Sequence, residues 1–190
     1  NHMIAAIQRP NLIKPIGLQL AADYILEICD QNNIKPNAFE LYSCFPVAVQ
    51  MFAEALQLKN NENFTVTGGM SFAGGPLNSY MIQSTVKMLA NIRNVPSTVG
   101  LITGVSGMMT KQAFALWAKD PLINFSSKDV TASAAAAEKP VALSKIKEGS
   151  GVIIGYTVLP KNHTNIKKAV IYIEDTNGDR KVLISYDEVI

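Results

Sequence analysis

Cysteine and histidine could carry nucleophilic or metal chemistry in this 190-residue chain, and each occurs only twice, as Cys29, Cys44, His2 and His163. A cysteine attacks only as its thiolate, which needs an imidazole, a cation or a metal nearby. Cys44 sits in Leu41-Tyr42-Ser43-Cys44-Phe45-Pro46, among apolar neighbours with no histidine close in sequence. A buried structural thiol is its ordinary reading. His2 belongs to Asn1-His2-Met3, which reads as a cloning scar, and His163 to the polar run 161–165. The stretch between them has no imidazole, which excludes a Ser-His-Asp or Cys-His system there, and a four-ligand Cys/His zinc site as well. No metal and no resident cofactor are expected. Lys111 stands close in sequence to Gly107, Met108 and Met109. It suits either an anionic phosphate or open solvent. The methionines suit either an adaptable apolar channel or core filling. The glycines from Gly68 to Gly75 match no phosphate-loop or dinucleotide spacing, so shaping a loop is their simplest role.

Bulk properties narrow the classes further. Seventeen basic against 15 acidic residues leave a net charge of +2, without the basic clustering that a nucleic-acid surface needs. No apolar run reaches the ~18 residues of a membrane span. Two cysteines suggest a reducing, cytoplasmic compartment rather than a disulfide scaffold. The length suits one medium domain, or one domain and a small module.

Those residues must be positioned by elements that the pattern predicts in outline. Helical spacing of Leu18, Ala21, Ala22, Ile25, Ile28 and Cys29 predicts a helix over 16–30. Residues 39–45 read as a strand ended by Pro46, 47–58 as a helix, and 64–67 as a strand running into Gly68-Gly69. Residues 72–76 read as a glycine-rich loop, after which Asn78 is placed to cap a helix reaching about Arg93. Residues 98–103 read as a strand and 104–107 as a turn, while 111–118 suit strand or helix equally. The alternation implies an α/β domain with a largely buried sheet. Ser126 to Pro140 reads as a linker. Beyond it, β-rich runs at 152–159, 169–174 and 181–185 predict a small antiparallel module, with Asn177-Gly178 as a type I′ hairpin turn. The expected domains are therefore 1–3 scar, 4–125 α/β, 126–140 linker and 141–190 β-domain.

Three segments taken together resemble the thiolases, the acetyl-CoA acetyltransferases. They are Leu41-Tyr42-Ser43-Cys44-Phe45-Pro46, Thr67-Gly68-Gly69 through Phe72-Ala73-Gly74-Gly75-Pro76, and Gly100 through Val105-Ser106-Gly107. The nearest likeness is to the group related to sterol-carrier-type thiolases, whose members carry an additional C-terminal β-barrel domain. The resemblance covers about residues 9–125, and the tail more weakly. It implies the C-terminal half of a thiolase fold, an incomplete layered α/β/α sheet, followed by a barrel-like antiparallel module.

The resemblance also implies a reaction: acyl transfer or Claisen condensation on CoA thioesters, with CoA thioester as substrate or ligand. That chemistry demands a thiolate, a histidine in a Gly-His-Pro loop, a second cysteine that moves the proton, and an Asn or His completing an oxyanion site. This sequence departs from the pattern at the three positions it covers. Tyr42 stands for the Asn or His, Gly75 for the histidine and Val105 for the second cysteine. No catalytic residue is intact, and the half bearing the nucleophile is absent. The resemblance leaves Tyr42, Cys44, Gly74, Gly75, Pro76, Gly107, Met108 and Lys111 as substrate-binding candidates. The missing N-terminal half is the expected partner, with a homodimer through an exposed surface as the alternative. A non-catalytic scaffold that binds acyl-CoA or protein is the rival reading.

Overall fold

A computed structural model describes residues 4–59, 63–107, 109–121, 123–145, 148–159 and 168–186. The chain divides into two compact units, one of residues 13–137 and one of residues 4–12 with 138 onward.

In the first unit, helix α1 (Ile16–Gln31) buries Leu18, Ala22, Ile25 and Cys29, one stripe at helical spacing. Strand β1 spans only Ala38–Glu40, and Pro46 opens helix α2 (Pro46–Ala55) as its first residue, where a missing N–H costs nothing. Expected strand 39–45 is thus cut to its first part, and Tyr42, Ser43 and Cys44 lie in the connection. A single turn, α3 (Met70–Ala73), and a 3-10 turn at Leu77–Ser79 precede helix α4 (Tyr80–Asn94). Asn78 lies inside that 3-10 turn, and the N-cap position of α4 is Ser79, which makes no side-chain cap, so the expected Asn78 cap does not form. Strand β2 (Gly100–Ser106) runs through the expected turn at 104–106, and β3 (Lys111–Trp117) resolves the strand-or-helix ambiguity.

The sheet order is β1-β2-β3, with β1 parallel and β3 antiparallel to β2. Both faces are covered. Phe39, Leu41 and Leu101 pack with α1 and α2, and alternate residue Ile102 packs with Met88 and Ile92 of α4. The unit is therefore layered α/β/α. Helix α5 (Thr131–Ala137) forms within the stretch read as linker; Ala134 is fully buried, and α5 packs on α1. Alanine's helix propensity outweighed the loop-like serines.

The second unit is an antiparallel sheet of β4 (Gly151–Leu159), β5 (Lys168–Asp175) and β6 (Arg180–Ser185) in that order, with a bulge between Ile153 and Gly155. Among the described residues these three strands form a three-stranded sheet and no closed barrel is seen. The β5–β6 hairpin forms where Asn177-Gly178 predicts it, but not with a type I′ turn. Gly178 alone has positive φ (+81°); its N–H donates to the Asp175 carbonyl at 3.0 Å, and the Asp175 carboxylate accepts from the Asn177 and Asp179 amides. The Asp175 side chain caps the turn that a second left-handed residue would otherwise shape. Buried Arg180 holds residues 4–12 to this unit, donating to the carbonyls of Ile7, Arg9 and Pro10 while pairing with Glu174 at 3.1 Å.

Candidate functional site

The motif positions cluster at the ends of β1 and β2 and in the loop before α4. The expected strand at 64–67 does not form, and the reason lies in Glu40. Its side chain, at the end of β1, has no exposed surface. A buried carboxylate is costly unless its oxygens are satisfied. Oε2 accepts from the Val66 amide (2.8 Å), the Thr67 amide (3.0 Å) and the Thr65 hydroxyl (2.9 Å). Oε1 accepts from the Thr67 hydroxyl (2.8 Å) and the Tyr80 hydroxyl (2.6 Å). The hydroxyls relay outward. Thr65 Oγ1 accepts from the Gly68 and Gly69 amides, each at 2.9 Å, and Ser43 Oγ from the Met70 amide at 2.9 Å. The amides from Val66 to Met70 thus donate to side-chain oxygens, which fixes an irregular loop where a ladder was expected.

Gly68 (φ +88°) and Gly69 (φ +73°) complete that bend; a side chain on Gly68 would also meet Phe72 Cβ at 3.0 Å. Glu40 is the residue that sequence reasoning missed. In the period-two pattern it reads as a solvent-facing strand position. No local signal pointed to it, because the Thr-x-Thr-Gly-Gly run that it serves begins 25 residues further on.

The candidate residues fall into three environments. Tyr42 is half-buried, its ring edge-on to Tyr80 with centroids 5.4 Å apart, and its amide donates to Thr103 Oγ1 at 3.0 Å. Burial pushes its phenol up, with the nearby Cys44 adding to this. Burial first and the Glu40 hydrogen bond second push the Tyr80 phenol up too. Both rings are therefore neutral near pH 7. Cys44 is a half-buried free thiol.

Gly74, Gly75 and Pro76 are exposed beyond α3, and a Cβ on Gly75 would touch only Met70 Sδ, at 3.8 Å. Position 75 therefore has room for a side chain that the sequence does not supply. Val105 and Lys111 belong to the β2–β3 hairpin. Val105 packs partly buried on the α1–α2 side, Gly107 turns the chain with φ +59°, and Lys111 is exposed. Met109 packs against the same core, as core filling requires. Met108 and His163 lie outside the described residues. Tyr42 is thus tied to β2 and Tyr80, and Ser43 to the glycine loop, whereas Lys111 points to solvent.

Among the described residues there is no histidine and no grouping of three or more His, Cys, Asp or Glu side chains suited to a metal. No helix among them is long and apolar enough to cross a membrane.

No protein-family profile matches the chain, and no curated protein matches it. Among solved structures it is similar to a monomeric SCP2-thiolase like protein type 1 from Mycobacterium smegmatis, with a TM-score of 0.85 at 23% identity. The match covers 97% of this chain and 42% of that one, so the chain spans less than half of its neighbour's length. The chain has a thiolase-like fold.

Proposed function

We propose that this chain is the C-terminal part of an acetyl-CoA acetyltransferase-like protein, and that it performs no thiolytic or condensing step itself. The parent reaction is acyl transfer on CoA thioesters. The observation that carries the reading is the set of side chains at the three motif positions. Gly75 has none, Val105 has only methyl groups, and Tyr42 carries a phenol whose pKa burial pushes up. Gly75 and Val105 have no titratable group and cannot move a proton, and Tyr42 does not supply the Asn or His that the family reaction uses. Cys44 has no imidazole beside it among the described residues to stabilise a thiolate. Thiolysis of acetoacetyl-CoA by the purified chain tests this, and no CoA-dependent turnover above the blank is expected. Turnover that disappears in Cys44→Ala would overturn it.

A second reading, a binding scaffold for acyl-CoA or protein, is favoured by one feature. The Glu40 network holds the glycine loop in a defined shape although the loop bears no catalytic side chain.

A further inference from the structure

The three strands of the second unit supply little core by themselves. Among the unit's described residues only Ile7, Arg9, Ala169 and Arg180 are buried, and two of these four belong to the segment 4–12. That segment crosses one face of the sheet. Tyr172 and Glu174, two apart on β5, share a face with their partners Val182 and Arg180 on β6 and Gly155 on β4. Leu12 lies over Gly155, where a Cβ would come within 3.6 Å of its Cδ1. On the same face the Arg180 guanidinium donates to the Ile7 and Pro10 carbonyls, each at 3.2 Å, and to that of Arg9, while its Nε donates to Glu174 at 3.1 Å. A small sheet needs a packed face to be stable, and residues 4–12 supply the layer that covers this one.

The other stretch by which the chain enters this unit meets the same arginine. The Val141 amide donates to the Gln8 carbonyl at 2.8 Å, the Arg180 amide to the Ala142 carbonyl at 2.9 Å, and the Ser144 amide to the Arg180 carbonyl at 2.8 Å. Segments 4–12 and 138–144 are therefore both fastened at Arg180. We propose that residues 4–12 are a strap, latched by Arg180, that opens and closes in one cooperative step with the β4-β5-β6 sheet. Release of the strap takes Ile7 and Arg9 out of the core and strips the guanidinium of three acceptors, which leaves the sheet too little buried structure to persist. Residues 141–190 are then not a module that stands without the start of the chain. A guanidinium suits the latch because its fork of N–H donors spans three carbonyls that one ammonium could not. Nothing in the latch depends on the acyl-transfer reading.

Native-state amide exchange on the full chain tests this with two variants, Arg180→Lys at the latch and Ile7→Ala, a change confined to the strap. In Arg180→Lys, exchange at Gln8 and Arg9 should quicken roughly 10- to 100-fold, as for the loss of one or two hydrogen bonds to a charged group. In Ile7→Ala it should quicken at least about tenfold. In each variant the β5 amides from Val170 to Glu174 should quicken by the same factor as the strap, while those of β2 keep their native rate. Complete loss of protection in strap and sheet together, with β2 still protected, is the limit of that expectation. Strap amides that quicken alone would make the segment a separately fraying end and overturn the proposal. So would unchanged rates in both, or equal quickening in β2.

Discussion

Glu40 offers the sharpest test of how the glycine loop is held. Glu40→Ala strips the acceptor from the part-buried Val66 and Thr67 amides and from the buried Tyr80 hydroxyl. Each orphaned buried donor costs ~1–3 kcal/mol, so the sum is on the order of 5 kcal/mol, comparable with the ~5–15 kcal/mol that holds a typical domain folded. Glu40→Gln is different. Its one oxygen can keep the amides of Val66 and Thr67. Its NH2 then faces the hydroxyls of Thr67 and Tyr80, which can rotate to accept. What is lost is charge assistance, and a smaller desolvation cost offsets part of that, leaving ~1–3 kcal/mol. Thermal melts should therefore rank native, then Gln, then Ala, with Gln lower by roughly 3–10 °C and Ala failing to give a cooperative transition in the first unit. Amide exchange in Glu40→Gln should accelerate at Val66–Met70 before it does along β2. An alanine variant melting within about 2 °C of the native chain, or one more stable than Gln, would refute the reasoning.

Other substitutions probe the packing and the hairpin. A Cβ at Gly100 would lie 2.4 Å from Met88 Sδ, between β2 and α4, so Gly100→Ala should cost ~1–3 kcal/mol in a denaturant titration. Gly104→Ala meets only the flexible end of Met81 at 3.1 Å and should cost less; equal losses would count against this packing. A Cβ at Gly178 meets no atom within 4 Å, so the cost of Gly178→Val comes chiefly from the positive φ, ~1–2 kcal/mol of β-unit stability, and an unchanged melt would contradict the turn. Cys29, Tyr42 and Tyr80 all have raised pKa values, chiefly through burial, from ordinary values of 9.0, 10.0 and 10.0. The folded state holds those protons more tightly than the unfolded one. Their contribution is thus complete below about pH 9 and is lost as pH rises from there through the raised values. Tyr80→Phe should flatten that alkaline fall, and an unchanged slope would assign it elsewhere. Calorimetric titration with acetyl-CoA should give a Kd of ~1 mM or poorer, about 4 kcal/mol of binding free energy. Micromolar affinity that falls in Lys111→Ala would reveal a phosphate contact that the exposed lysine does not suggest.

Periodicity made the regular elements legible. The stripe Leu18-Ala22-Ile25-Cys29 located α1 to within one residue, and the β-rich runs around Asn177-Gly178 located the hairpin. It failed wherever a side chain supplied what the backbone ladder would have. Phe64-Thr65-Val66-Thr67 has the composition of a strand, and a strand would have satisfied its amides with neighbouring carbonyls. Glu40 and the threonine hydroxyls satisfy them instead, and Glu40 lies 25 to 27 residues away in sequence, beyond the reach of any local pattern. The type I′ assignment at Asn177 failed for a similar local reason: the Asp175 carboxylate caps the turn amides, so one left-handed residue suffices.

The same limit applies to the site. Motif order marked Tyr42, Gly75 and Val105 as departures from the family pattern, and neither Gly75 nor Val105 has a titratable group to offer. What sets the loop's shape is a carboxylate two residues before Tyr42, with no catalytic group for it to support. A buried carboxyl group whose oxygens are filled by one loop and Tyr80 contributes order more than net stability, since an apolar replacement can pack as well. That order is local, so Glu40→Gln should speed amide exchange at Val66–Met70 more than the fall in melting temperature alone would suggest.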